Sequence, residues 1–96
     1  MKIRYTPRAI GDLAAIADHI RKSDPLAADR VGNAIEHTIG LLSQHPDLGV
    51  ERPELGVRKI GVPRYSYSVF YRVKPDTIEI AHIRDDRRKS AQPGDV

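Results

Sequence analysis

The strongest constraint on the fold is a period-of-two pattern in residues 64–74. Every second position carries a large apolar side chain, and this set is Tyr65, Tyr67, Val69, Tyr71 and Val73. Because successive side chains of a strand point to opposite faces, the pattern predicts a β-strand with one apolar and one mostly polar face. A second β-rich run follows the break at Pro75-Asp76 and ends in the charged segment 84–88. The two runs predict a hairpin that carries arginines to the rim of a sheet.

The second run of the hairpin contains an irregularity. Ile78 and Ile80 keep the two-residue period, but the next large apolar residue is Ile83. Such a change of phase indicates either a β-bulge or a strand end that is covered on both faces. We therefore expect residues from Arg84 onward to point differently from a regular continuation of the strand.

The first half of the chain predicts a short strand and two helices. Residues 2–5 alternate, and Thr6-Pro7 and Asp24-Pro25 are both helix-start signals, with a capping side chain before proline. The first helix has an apolar stripe and a polar side; the stripe is Ile10, Leu13, Ala17 and Ile20, and Asp12, Ala15 and His19 lie opposite. The second helix carries its apolar stripe on Ala27, Val31, Ala34, Ile35, Thr38 and Leu42. The short break between them predicts an antiparallel helical hairpin.

A Pro- and Gly-rich loop is expected from residue 45 to Gly56, and Val57–Gly61 reads as another short strand. The element order is then β-α-α-β-β-β. This order predicts a two-layer α+β fold, in which the helical hairpin packs on one face of a small antiparallel sheet. The whole chain, residues 1–96, is expected to form one domain, with a tail from 90 to 96 that frays.

Composition excludes several classes of function. The chain has no cysteine and no apolar run near the ~20 residues that span a bilayer, so a soluble cytoplasmic protein is expected. The net charge is +3, and all of this excess lies in residues 49–96, which hold ten basic and seven acidic side chains. A localised positive face favours an acidic partner, but ordinary solubility explains so small an excess equally well.

The ordered segments resemble one family over most of the chain. They are Ala9 to Leu13 with Ile16 and Ile20, Ala34-Ile35 with Leu42, Pro46 and Gly49, then Val57-Arg58, 69–73 and 78–88. In this order they resemble the RelE/ParE superfamily of toxins from bacterial toxin–antitoxin pairs, and most of all its ParE branch. The resemblance implies a toxin of a type II pair that binds and inhibits DNA gyrase without being an enzyme. It also implies a hetero-oligomer with a cognate ParD-like antitoxin of the ribbon-helix-helix type.

The RelE branch gives the enzymatic alternative, a ribosome-dependent endoribonuclease that cleaves messenger RNA. Cleavage by attack of a 2′-hydroxyl needs a base, an acid and cations near the phosphate. The catalytic candidates under this alternative are His82, Arg58 and Arg88. Relatives with nuclease activity usually have a tyrosine or histidine just after the last strand, whereas this chain reads Asp85-Asp86-Arg87-Arg88 there and has no tyrosine after Tyr71. Many ParE-like toxins have a histidine shortly before the final arginine, at the place where this chain has Asp85, so a role of that histidine does not transfer. A plain nucleic-acid-binding module is the third reading, disfavoured by the modest charge.

Binding residues are predicted at the rim and on two surfaces. We expect the target to be contacted by the cations that end the last strand, Arg84, Arg87, Arg88 and Lys89. Phe70 and Arg72 lie on the face away from the helices and are candidates for antitoxin binding. Three apolar residues at the edge of the helical hairpin form a second candidate surface for the antitoxin: Ile16, Ile39 and Leu41.

No cofactor and no metal site are expected. His82, Asp85 and Asp86 are possible metal ligands by type, but their spacing is not that of a metal motif. The seven glycines are scattered and form no phosphate-binding loop. The tyrosines of the first hairpin strand share its apolar face, which favours core packing over stacking on bases.

Overall fold

The computed structural model describes residues 1–87 and 91–96. Strand β1 (Lys2–Tyr5) leads into helix α1 (Pro7–Arg21), and helix α2 (Pro25–Leu42) follows after a short turn. Both helices begin as predicted, because the side chains of Thr6 and Asp24 each accept a hydrogen bond at 3.1 Å from the backbone N–H three residues later. Each cap satisfies one of the N–H groups that a helix leaves without a partner at its start.

The remaining strands are β2 (Val50–Arg52), β3 (Val57–Gly61), β4 (Tyr67–Val73) and β5 (Thr77–Asp85). They form one five-stranded sheet in the order β1-β5-β4-β3-β2. The fold is α+β, with the helical pair packed on this sheet. In two respects the sheet differs from the antiparallel sheet that the sequence predicts.

First, the sheet is mixed, because β1 runs parallel to β5 while all other neighbours are antiparallel. A parallel pair needs a long connection between its strands, and the whole helical hairpin and three strands lie between these two. Second, β2 lies inside the segment that the sequence predicts as a loop. It pairs with β3, and a 3.1 Å ion pair between Glu51 and Arg58 spans the two strands.

The change of phase in β5 is a β-bulge, which is the first of the two alternatives that the sequence leaves open. Phe70 pairs with His82 and Tyr71 pairs with Ile80, so Ala81 is the extra residue of β5. The extra residue restores the apolar phase, and Ile80 and Ile83 both enter the core beneath the helices. Arg84, which stands opposite Ser68, consequently points to the other face of the sheet.

The main core lies between the helices and the sheet. The stripe on α1 is shifted from the predicted one: Ala9 is fully buried, while Ile10 is largely exposed. Leu13 and Ile20 pack against this core as expected, together with Ile16. Three- and four-residue steps from Ala9 through Leu13 and Ile16 to Ile20 keep one helical face toward the sheet.

A second, smaller apolar cluster occupies the outer face of the sheet. It consists of Leu55, Val57 and Phe70, against which Ala91 and Val96 pack. The segment from residue 91 to 96, for which the sequence predicts fraying, crosses this face and contains a short 3-10 turn (Pro93–Asp95). Within the part of the chain that the structure describes, no helix is long and apolar enough to cross a membrane.

Candidate functional site

A cleft lies between α1 and the last residues of β5. It exists because β1 ends at Tyr5 opposite Ile80, leaving residues 81–85 of β5 without a strand on that side. Thr6 continues the contact for one residue, since its hydroxyl donates to the carbonyl oxygen of Ala81 at 3.1 Å. Beyond that point side chains of α1 face the strand across a cleft of about 450 Å³. Its lining includes Arg8, Asp12, Ile16, Tyr67, His82 and Arg84.

A pair of the buried His82 and the partly buried Asp12 lines this cleft. Oδ2 of Asp12 lies 2.6 Å from Nδ1 of His82 and accepts the backbone N–H of Ile83 at 3.0 Å. Its other oxygen accepts from Nε of Arg8 at 3.1 Å. Asp12 thus takes the place of a neighbouring strand at the open edge of β5. The helical pattern predicts Asp12 on the polar side of α1 but does not predict this role, because helical periodicity does not indicate which strand the helix crosses.

His82 is 3% exposed, and its ring stacks on Phe70 with a centroid distance of 5.7 Å. Its Nε2 atom is buried and has no hydrogen-bond partner among residues 1–87 and 91–96. A buried polar atom without a partner costs free energy, so an unpartnered nitrogen in the wall of a cleft is a candidate contact for a ligand. Asp12 therefore holds the imidazole through Nδ1, while the Nε2 side of the ring is not held by a hydrogen bond to the described residues.

The described arginines that are expected to contact the target differ in exposure at the end of β5. Arg84 is largely buried, on the outer face, with Nη1 3.6 Å from Oδ2 of Asp95. Arg87 is exposed and binds Asp85 through two side-chain hydrogen bonds of 2.7 and 2.9 Å. These contacts with Asp85 raise the pKa of Arg87 above its ordinary value. The predictions for Arg88 and Lys89 concern residues outside the described part of the chain.

Arg58 and His82, the two candidates for RNA cleavage in the described part of the chain, do not come together. Arg58 stands opposite Tyr71 on the helix-facing side of the sheet, where its guanidinium donates to the carbonyl oxygen of Gly49 at 2.7 Å. His82 stands opposite Phe70 on the other side. Directly paired strand residues share a face, so Arg58 and His82 lie on opposite faces of the sheet.

The candidate antitoxin contacts also differ in accessibility. Leu41 is 40% exposed on α2, and Ile16 is half-buried at the cleft. Ile39 is only 2% exposed and belongs to the core, so it is not at the accessible edge where the sequence places it. The reason is the direction of the apolar stripe of α2, which includes Ile35, Ile39 and Leu42.

Phe70 and Arg72 lie on the outer face of the sheet, as the alternation predicts. The Phe70 ring is nevertheless buried, because it packs within the outer apolar cluster against the tail residues Ala91 and Val96. The ammonium group of Lys59 lies 5.8 Å from the ring centroid. Arg72 is half-buried and pairs at 3.4 Å with Glu79, which also contacts Arg4. Phe70 is therefore not the exposed contact that the sequence predicts, because residues distant in sequence cover it.

In the described part of the chain, the side chains that could bind a metal are dispersed. Nowhere in residues 1–87 and 91–96 do three or more His, Asp or Glu side chains come together in an arrangement that would hold a metal ion. Asp85 instead binds Arg87, while Asp86 accepts a hydrogen bond from the Ser68 hydroxyl at 2.8 Å. Both carboxylates thus interact with side chains at the end of the hairpin.

This helical hairpin on a mixed sheet, with arginines at the end of its last strand, defines a toxin of the RelE/ParE superfamily. The family model of the ParE toxin of the type II toxin–antitoxin system, parDE, matches residues 3–90, and the chain belongs to that family. Toxin RelE3 of Caulobacter vibrioides is 38% identical over 85% of this chain and 90% of its own length. Toxin RelE2 of the same organism is 30% identical over 91% of this chain and 97% of its own length.

A solved structure agrees with the family assignment. The chain is similar to one from the chromosomal ParDE TA system from P. aeruginosa, with a TM-score of 0.77 and 32% identity. The match covers 88% of this chain and 95% of the other. Together with the family, this likeness supports an antitoxin as a partner.

Proposed function

We propose that this toxin acts by binding and inhibiting DNA gyrase and that a cognate ParD-like antitoxin neutralises it. The observation that carries the proposal is the position of Arg58 and His82 on opposite faces of the sheet. A catalytic base and a phosphate-binding cation must reach the same phosphodiester, within hydrogen-bond distance of its atoms. The sheet separates Arg58 from His82, so this pair of candidates does not meet the requirement, which supports a binding mechanism for the toxin.

Arg87 is the described cation best placed for contact with a target. It is exposed at the end of the hairpin, and its two hydrogen bonds to Asp85 fix the guanidinium. A guanidinium held in position loses less conformational entropy on binding than a free side chain does. Arg84, in contrast, is largely buried against Asp95 and is less accessible.

The proposal is tested with purified toxin in a gyrase supercoiling assay. The wild-type chain should inhibit supercoiling, and Arg87→Ala should weaken inhibition. The matched control is Arg30→Ala, which removes an exposed arginine from α2 at a distance from the hairpin end. Supercoiling that continues unchanged in the presence of excess folded wild-type toxin would refute gyrase as the target.

Endoribonuclease activity is the second candidate function. It is favoured by the names of the two RelE relatives and by the Asp12–His82 pair, because a carboxylate that orients an imidazole is a common arrangement in acid–base catalysis. Under this alternative, toxin added to translating ribosomes should cut messenger RNA at defined positions. His82→Gln should abolish cutting without unfolding the chain, which circular dichroism checks.

The antitoxin surface is tested with neighbouring residues of α2. Leu41→Asp places a charge on an exposed position, so the toxin should stay folded and bind its antitoxin less tightly if this face is part of the interface. Ile39→Asp places the same charge in the core and should unfold the domain. Unchanged antitoxin affinity in the folded Leu41→Asp toxin would exclude this surface of α2.

A further inference from the structure

The cleft between α1 and β5 contains a carboxylate of the chain's own tail. Asp95 Oδ1 lies 3.7 Å from Nη2 of Arg8, and its Oδ2 lies 3.6 Å from Nη1 of Arg84. Arg8 comes from the first turn of α1, and Arg84 comes from the outer face of β5. Two guanidinium groups from separate elements therefore point at one carboxylate.

The surroundings of Asp95 favour a negative charge. Its pKa lies below the ordinary value, first because its carboxylate accepts the backbone N–H of Gln92, and also because His82, Arg8 and Arg84 are near. The two other carboxylates that line the cleft have partners of their own. Asp12 binds His82 and the Ile83 N–H group, and Asp85 binds Arg87.

His82 supplies the third element of the site. Its ring lines the same cleft, and Nε2 is the buried side-chain atom without a hydrogen-bond partner in the described part of the chain. Because Nδ1 faces Asp12, the second ring nitrogen is left for a ligand. When the ring is protonated this nitrogen is a donor, and a carboxylate oxygen is a suitable acceptor.

Asp95 fills this site incompletely. Both of its ion-pair distances exceed 3.5 Å, so each is longer than a direct charge-assisted hydrogen bond, and its side chain is 33% exposed. The residue after it, Val96, packs on the outer apolar cluster of Leu55, Val57 and Phe70. The tail thus presents a carboxylate followed by an aliphatic side chain to an anion site beside an apolar patch.

We infer that Arg8, Arg84 and His82 form a binding site for the carboxylate of an acidic peptide segment of a partner protein, and that Asp95 occupies this site in the free chain. A partner segment binds there by displacing the tail and makes closer contacts with the same three groups. The occupant seen in the structure is a carboxylate with an adjacent aliphatic residue, which favours a peptide over a nucleic-acid phosphate. The inference does not depend on whether the toxin acts on gyrase or on RNA.

The test uses the full chain and NMR signals from the Arg84 side chain and the His82 ring. The probe is an acetylated hexapeptide with the sequence of residues 91–96, and its control carries Asn in place of Asp. Asp95→Asn should open the site, since it removes the competing charge and keeps the shape of the tail. Because a tethered group competes at an effective concentration in the millimolar range, the variant should bind the probe at least about tenfold more tightly than the wild type.

Two further variants define the outcomes. Arg84→Gln combined with Asp95→Asn should abolish saturable binding, whereas Asp29→Asn, an exposed acid on α2, should behave as the wild type does. Thermal unfolding should show that every variant is folded. The inference is overturned if Asp95→Asn binds no probe, if the control peptide binds equally well, or if inorganic phosphate at equal ionic strength binds more tightly than acetate.

Discussion

The Tyr71 hydroxyl accepts a hydrogen bond from the backbone N–H of Gly49 at 2.8 Å and donates one to the carbonyl oxygen of Pro46 at 2.8 Å. One side chain of the central strand β4 thus satisfies two backbone groups in the loop that leaves α2. Buried backbone groups need such partners, because a polar group that loses its water without gaining a hydrogen bond is destabilising. This contact fixes the loop on the sheet at the point where β2 begins.

Tyr71→Phe should therefore destabilise the domain although it removes a single oxygen atom. It leaves the Gly49 N–H and the Pro46 carbonyl without this partner, and we expect a loss of about 1–3 kcal/mol in the free energy of unfolding. Urea unfolding followed by circular dichroism measures the loss. Tyr65→Phe is the control, since the structure gives the Tyr65 hydroxyl no hydrogen bond to the described residues, and its effect should be small. Equal stability of the two variants would contradict the role assigned to Tyr71.

Stability should also fall in alkaline solution. Burial raises the pKa of Tyr71 above 10.0, and burial together with Glu36 raises that of Tyr5. A raised pKa in the folded state means that the unfolded chain loses its phenolic protons first. The stabilising contribution is therefore complete below about pH 10 and is lost as the pH rises from there through the folded-state values. Urea unfolding between pH 8 and 11.5 should show this decline, and it should be shallower in Tyr71→Phe.

Gly49 should not tolerate a side chain. A Cβ atom at this position would lie 2.7 Å from the Tyr71 hydroxyl oxygen and 2.9 Å from the carbonyl oxygen of Lys59. Because one of these neighbours is backbone, Gly49→Ala should cost about 1–3 kcal/mol, as overpacking does in general. Gly40→Ala is the matched control, since a Cβ there meets nothing within 4 Å and alanine favours a helix. It should raise stability by up to about 1 kcal/mol, and a melting temperature that rises in both variants would disprove the close contact at Gly49.

Asp12→Ala should destabilise far more than an exposed acid on the same helix. The change leaves the Nδ1 atom of His82 and the N–H group of Ile83 unsatisfied in buried surroundings, at about 1–3 kcal/mol for each. Asp12→Asn keeps one acceptor oxygen and should recover part of the loss. In comparison, Asp18→Ala breaks an exposed pair with Arg21 and should cost less than about 1 kcal/mol. Similar losses for Asp12→Ala and Asp18→Ala in chemical unfolding would show that the edge of β5 does not depend on Asp12.

Much of the architecture follows from local patterns. The capping residues Thr6 and Asp24 predict where both helices begin, and the change of phase between Ile80 and Ile83 predicts an irregularity at the place where the structure has a bulge. Strand β2 is missed, since three residues next to Pro53 have no period of their own and form a strand only against β3. The resemblance of the ordered segments also suffices to predict the toxin superfamily.

The sequence by itself determined the helices, the hairpin and the place of the irregularity in its second strand, because backbone periodicity and capping act over a few neighbouring residues. The resemblance of the ordered segments determined the family. Tertiary structure alone decided the rest: the Asp12–His82 pair, whose residues are 70 positions apart; the burial of Phe70; and the separation of Arg58 from His82 by the sheet. These relationships depend on strand register and on how the helical layer crosses the sheet. Both are set by the summed packing of distant residues, which no local pattern contains.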